Sequence, residues 1–171
     1  LLANTWVSQA INVDMSVYAL AVGFPYESTG LLMLILSIVT VASSVLAGGI
    51  SDWFAGRSRT PIQCRSIIMA MGYLFAMLAC ALLPMAADRG FLAIVLAASG
   101  MAFGVSWSAG VFWAIPSEIY SIDDMVTGTA FCSGASNVPN PIAPMVVGVL
   151  LGSNGMWDMG WMTCALACLK V

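Results

Sequence analysis

The stretch LLMLILSIVTVASSVLAG, residues 31–48, carries no charge, and its polar residues are only Ser37, Thr40, Ser43 and Ser44. A bilayer core takes about 20 apolar residues in one helix, and with Gly30 before it and Gly49–Ile50 behind it this run has the length of a single crossing. A barrel strand would instead alternate in hydrophobicity over about 10 residues. Lipid offers the backbone no hydrogen-bond partner, which a helix supplies from within. Working outward between the charges, the same reading gives six spans, at about 5–23, 30–50, 65–86, 91–113, 126–151 and 157–171. The last stops at Val171 and is short for a crossing. The chain opens on LLANTW with neither an initiator Met nor a basic leader, and both ends together predict a piece of a longer protein.

Composition agrees with that frame. Of 171 residues, 61 % are hydrophobic and 8 % charged, with mean hydropathy +0.97. An average soluble domain is roughly 25 % charged, so this surface cannot cover a water-soluble fold. The cations are Arg57, Arg59, Arg65, Arg89 and Lys170, against eight acidic residues, for a net charge of −3. They form no basic patch, so nucleic acid is not an expected partner. There is no His, which removes imidazole metal sites and His-based triads. Cys64, Cys80, Cys132, Cys164 and Cys168 form no CxxC pair and read as small apolar packing residues. With no nucleophile–base pair and no metal cluster, an enzyme is not expected, and no cofactor is implied.

Lys and Arg in short loops mark the cytoplasmic side. The 51–65 loop holds Arg57, Arg59 and Arg65, while the opposite loops hold only Arg89. Strict alternation then places both termini in the cytoplasm and the loops at about 24–29, 87–90 and 152–156 outside. Loop 114–125 falls on the cytoplasmic side with Glu118, Asp123 and Asp124, acidic residues that weigh little in the rule. Ser28 reads as the N-cap of the second span and Pro84 as a stop near the end of the third.

The strongest local signal is GGISDWFAGRSR at 48–59. Small residues allow close approach of a neighbouring element, and an Asp at a helix end can accept from another helix N-terminus or from Arg. An ordinary positive-inside loop with a turn glycine is the simpler alternative. The pattern resembles the loop motif of the major facilitator superfamily, roughly G-x-x-x-D-x-x-G-R-[KR], through Gly48, Asp52, Gly56, Arg57 and Arg59. Gly56 stands one residue further from Asp52 than in the motif, and Ser58 splits the basic pair. A second stretch, FWAIPSEIYSIDDMVTGTAFCSGASNVPNPIAPMVVGVLLGSNGMW at 112–157, is similar to the anion:cation symporter family at Trp113, Pro116, Gly128, Asn137, Pro144 and Gly148. Ser51–Asp52–Trp53 after two glycines also resembles the sugar-acid transporters of that family. The chain departs from the pattern at Ser133, Pro139, Asn140, Pro141, Asp123 and Asp124.

The resemblance covers about residues 28–169. It implies an all-α membrane protein, a bundle of six transmembrane helices with the last truncated, which is the C-terminal half of a major-facilitator-type fold. It implies a multi-pass protein of the plasma or inner membrane. The activity implied is secondary active transport of a small organic anion, sugar-acid-like, by alternating access coupled to H⁺ or Na⁺. Such a half needs its missing N-terminal half or a second copy of itself. The alternative is a non-transporting membrane fragment or assembly subunit.

The polar residues inside the spans are the candidate site. Thr5, Ser8, Gln9, Asn12 and Ser16 share one face of a regular helix, and form either a substrate-facing wall or interhelical glue. Asp14 lies mid-span on the opposite face. A charge there costs at least ~2.5–3.5 kcal/mol, so it must be partnered, protonated or seated in an irregular helix, and proton or cation coupling is one role open to it. In ASNVPNPIAP, residues 135–144, the three prolines predict a broken or kinked helix that frees the carbonyls of Ala135, Asn137 and Asn140. Transporters place ligand sites at such breaks, and Asn137 and Asn140 add amides able to bind hydroxyls or carboxylates. A packing kink with its amides satisfied internally is the alternative. Gly100–Gly104 and Gly148–Gly152 read as small-xxx-small contacts. Trp107, Trp113, Trp157 and Trp161 read as interface anchors or packing, and the twelve Met residues as apolar filling.

Overall fold

The structure, a computed structural model, describes residues 2–154 and 157–169. Residues 155–156 of the expected outward turn and 170–171 of the expected sixth span lie outside the described residues, as do the packing surroundings of Gly152. The described residues are mostly helical, joined by short turns, with no strand among them. In order they are α1 (Leu2–Gln9), a π-helical turn (Ala10–Asp14), α2 (Met15–Ala21), α3 (Tyr26–Ala55), α4 (Pro61–Ala87), α5 (Phe91–Phe112), α6 (Pro116–Ile119), α7 (Met125–Ser136), α8 (Pro139–Asn154) and α9 (Trp157–Leu169).

Among the described residues, three helices are long and apolar enough to cross a membrane, covering Tyr26–Ala55, Pro61–Ala86 and Phe91–Ile119, the last running past α5 through the short α6. Their lengths follow from local chemistry. Pro25, extended at ψ 156, precedes α3, whose first turn carries Glu27 where the helix dipole favours an anion. Pro61 opens α4 at a position where its missing N–H is no loss. Gly90, at φ +91, makes the reversal into α5 in a conformation that disfavours any other residue. The expected stop at Pro84 does not occur. Its ring removes one N–H, and α4 continues to Ala87.

Each long helix is apolar on both faces, because one meets protein and the other meets the medium. On α3 the inner row is Leu32, Leu36, Ser43, Ala47, Ser51 and Ala55, while Leu34, Ile38, Val41 and Val45 are exposed. In water that outer row would be an aggregation surface, and in lipid it costs nothing.

α5 is the packing centre, packed against both α3 and α4, which also touch each other, and α9 packs on α4. Glycine permits the closest approach. A Cβ on Gly104 would lie 2.5 Å from the Gly72 carbonyl oxygen and 2.6 Å from the Ala76 nitrogen, and one on Gly100 would press on Ala79 at 3.2 Å. Direct hydrogen bonds reinforce the seams: Ser43 Oγ donates to the Phe103 carbonyl at 2.7 Å, Ser108 Oγ to Met69 at 2.9 Å, and Trp107 Nε1 to Ile68 at 3.1 Å. Trp107 is thus a packing residue. All five cysteines are free.

The first and fifth expected spans are interrupted. The first is broken by the π turn, in which the Met15 N–H reaches back to Ala10. The fifth is broken between Ser136 and Pro139. Pro139 and Pro141 then sit in the first turn of α8, where N–H groups are unpaired in any case. Two of the three carbonyls expected to be free are taken up within the break, Ala135 by Val138 N–H at 3.3 Å and Asn137 by Asn140 N–H at 3.1 Å.

Gly104→Leu forces a side chain into the α4 backbone. Overpacking costs ~1–3 kcal/mol or more, so the thermal unfolding midpoint in detergent falls clearly. Gly148→Ala meets nothing within 4 Å and leaves the midpoint unchanged or raised.

Candidate functional site

The break in the fifth span opens onto a cavity of about 180 Å³. α1 supplies Asn4 and Thr5, α4 supplies Tyr73, the end of α5 supplies Phe112 and Trp113, and α7 with the break supplies Ser133, Ser136 and Asn137. The break itself puts the polar atoms there. With the chain turning at Asn137, the last helical carbonyls lose their regular partners, and short side chains fold back on them. Ser136 Oγ donates to Ser133 O at 2.7 Å, and Asn137 Nδ2 to the same carbonyl at 2.9 Å. Asn140 Nδ2 donates to Asn137 Oδ1 at 2.8 Å. An amide oxygen accepts two hydrogen bonds and an amide nitrogen donates two, so Asn137 keeps capacity for a ligand while being held in place by its neighbours. Asn140 acts through Asn137 and does not line the cavity.

Across the cavity, Asn4 carries a buried Oδ1 with no hydrogen-bond partner among the described residues. A buried acceptor left unmade costs ~1–3 kcal/mol, and a ligand hydroxyl or ammonium would satisfy it. Asn4 and Tyr73 complete the site without having stood out in the sequence, and Ser133 stood out there only as a departure from the family pattern. Asn4 lies one turn before Ser8 at the very start of the chain, and Tyr73 sits in an otherwise apolar run. Their shared cavity is set by how α1 and α4 pack, not by a local motif.

The polar stripe expected along the first span does not act as one wall. Thr5 faces the cavity, whereas Asn12 lines a separate, outward groove of about 190 Å³ with Ser37 and Thr40 of α3. Gln9 is half-buried at the end of α1 and lines neither. The expectation assumed a uniform helix, and the π turn changes the rotation per residue partway along it. The same turn explains Asp14, which is 8 % exposed in an irregular helical segment.

The loop signal at 48–59 resolves into an ion cluster centred on a residue outside it. Arg65, in the second turn of α4, reaches Asp52 Oδ1 at 2.8 Å with Nη1, Glu118 Oε1 at 2.7 Å with Nε, and Ser51 Oγ at 3.0 Å. One guanidinium thus ties α3, α4 and α6 together with three of its donors. Its side chain is 10 % exposed, against 22 % for Glu118 and 68 % for Asp52. Arg57 does not join the cluster. It stacks over the Trp53 ring at 4.1 Å and donates to the Trp53 carbonyl at 3.2 Å. Arg59 is exposed. Gly56 ends α3, its N–H on the Asp52 carbonyl at 2.9 Å, and Gly48 lies within α3 with nothing near its missing Cβ. Gly128 matters in another way: a Cβ there would meet the Tyr120 ring at 2.6 Å, so it lets the 114–125 segment fold down on α7.

Among the described residues no group of His, Cys, Asp or Glu is placed to hold a metal ion. Comparison with protein-family models and with curated proteins gives no match, so the reading of function rests on these residues and their geometry.

The cluster ranks its own members. Glu118→Gln removes the better-buried partner of Arg65 and costs more than Asp52→Asn, whose exposed pair is worth ~1 kcal/mol or less. Thermal unfolding in low and high salt measures both, and only the Asp52→Asn difference shrinks with salt.

Proposed function

We propose that the chain is the C-terminal six-helix half of a secondary transporter for a small organic anion, sugar-acid-like, working by alternating access coupled to H⁺ or Na⁺. The observation that carries the reading is the polar cavity at the interrupted fifth span, where Asn4 Oδ1 and Asn137 present open hydrogen-bond capacity between helices of an apolar chain. Interrupted helices are where transporters bind their cargo. The resemblance of the 48–59 and 112–157 stretches to the major facilitator superfamily and its anion:cation symporters supports the same reading.

The cavity is small. Ligand pockets run to about 300–1,000 Å³, so 180 Å³ holds part of a sugar acid. Its lining contains amides, hydroxyls and aromatic rings but no cation. In this reading the chain holds the hydroxyl end of the substrate, with Tyr73, Phe112 and Trp113 giving it apolar faces. The charge that receives the carboxylate comes from the missing N-terminal half, or from a second copy. The open groove at Asn12, Ser37 and Thr40 calls for such a partner, since exposed polar groups are costly against lipid. Asp52 of the 48–59 motif, held by Arg65 of α4, stabilises one gate state at the cytoplasmic end. Both termini are cytoplasmic in this topology. A non-transporting fragment or assembly subunit is the second reading, favoured by that same open groove, and it predicts no uptake.

The test is uptake of labelled sugar acids by the full-length parent in proteoliposomes under an imposed H⁺ or Na⁺ gradient. Asn4→Ala lowers uptake efficiency by about 10-fold, the value of one ligand hydrogen bond at ~1.4 kcal/mol. The same variant leaves the unfolding midpoint unchanged or higher, because it removes an unsatisfied acceptor. Absence of gradient-driven uptake of any organic anion overturns the proposal.

A further inference from the structure

A second, far smaller void lies where the π turn meets α8 and α9. It measures about 10 Å³ and is walled by Asp14, Trp161, Ala10, Val147, Gly160 and Cys164. Two of its residues carry buried polar atoms without a hydrogen-bond partner among the described residues, Asp14 Oδ2 and Trp161 Nε1. Asp14 is 8 % exposed and Trp161 2 %. One orphan is an acceptor and the other a donor, and both residues line the void. A water needs about 10–15 Å³ of such space and two to four polar partners. One molecule here would donate to Asp14 Oδ2 and accept from Trp161 Nε1.

We infer that this void is a one-water site joining Asp14 to Trp161, and that it takes up a proton on Asp14 in preference to a sodium ion. The inference rests on the coupled-transport reading above and fixes its ion. Hard cations require several oxygen ligands, and Asp14 is the one side chain here that offers any. The backbone does not make up the number: the Ala10 carbonyl accepts the Met15 N–H, and the Gly160 carbonyl accepts the Thr163 hydroxyl at 2.6 Å. The indole N–H brings the positive end of its dipole, which repels a cation and suits a water oxygen. Proton uptake fits the same atoms. A hydronium entering the void breaks one O–H bond and forms one on Oδ2, leaving a neutral carboxyl and the resident water.

The surroundings hold little else that titrates. Cys164 of α9 shares the void, and Tyr18 of α2 packs edge-on against Trp157 and Trp161 at 5.2 and 5.3 Å. α1, α5 and α8, which also pack on the π turn, carry no acidic, basic, Cys or Tyr residue. The side chain of Asp158, the remaining acid of α9, lies outside the described residues. No Lys or Arg forms an ion pair with Asp14 among the described residues.

Infrared difference spectroscopy on the chain in lipid nanodiscs tests this without any transport assay. Lowering the pH should bring up a protonated side-chain carboxyl band that Asp14→Asn abolishes. A water O–H band should accompany it, shift in heavy-oxygen water and disappear in Trp161→Phe. Replacing K⁺ by Na⁺ at constant pH should leave the carboxyl band unchanged. Loss of that band on adding Na⁺ to the unmodified chain overturns the inference, as does a water band that survives in both variants. If either variant fails to fold, the responses of the unmodified chain to Na⁺ and to heavy-oxygen water still decide it. Absence of uptake by the parent protein with both bands present would defeat the transport reading alone.

Discussion

Close contact between α5 and its two neighbours is the interaction on which the rest of the structure depends. In a medium as apolar as the side chains themselves, burial of hydrophobic surface gives little reason for helices to associate. Dispersion at short range and a few direct hydrogen bonds must do so. α5 meets that demand with Gly100 and Gly104 against α4, and with Gly110, where a Cβ would lie 2.5 Å from the Ser44 carbonyl of α3. Ser43 and Ser108 bond across the same seams to backbone carbonyls. Bulk on these faces would push α3 and α4 away, and with them the surfaces that seat Tyr73 and the Arg65 cluster.

The irregular helices follow from what that rigid trio leaves open. α3, α4 and α5 are continuous and hold few polar atoms beyond those they exchange. The interrupted segments carry the remainder. The π turn sets Asp14 inward and Asn12 outward, and the break after Ser136 sets Asn137 beside the cavity. Backbone that departs from the regular helix is tolerated at membrane depth where it is buried in protein or lines a cavity, and both interruptions meet that condition. Chemistry and regular secondary structure are therefore separated along the chain.

Much of this was legible in residues. Runs such as 31–48 declare a helix by length and lack of charge, and the prolines of 135–144 place the break within two residues of where it occurs. The Gly100–Gly104 contact was also readable, because small residues at that spacing have one obvious use. What escaped the sequence depends on partners distant along the chain. Arg65 counted there as one more positive charge, although it closes a cluster with Asp52 and Glu118. Asn4 and Tyr73 share a cavity only through packing. The face assigned to Gln9 and Asn12 failed for a local reason that composition does not reveal, since a π turn has no distinct residue signature. Pro84 misled because a proline near a helix end can be carried within it.

α3, α4 and α5 are long and apolar enough to stand in lipid, with their outer rows facing acyl chains. Spin labels placed singly along α3 test it in nanodiscs, by comparing relaxation from dissolved oxygen with relaxation from a water-soluble nickel complex. Oxygen access should be strong and nickel access weak at Leu34, Ile38, Val41 and Val45, with both weak at Ser43, Ala47 and Ser51. Nickel access at the outer row equal to that at Arg59 would contradict it.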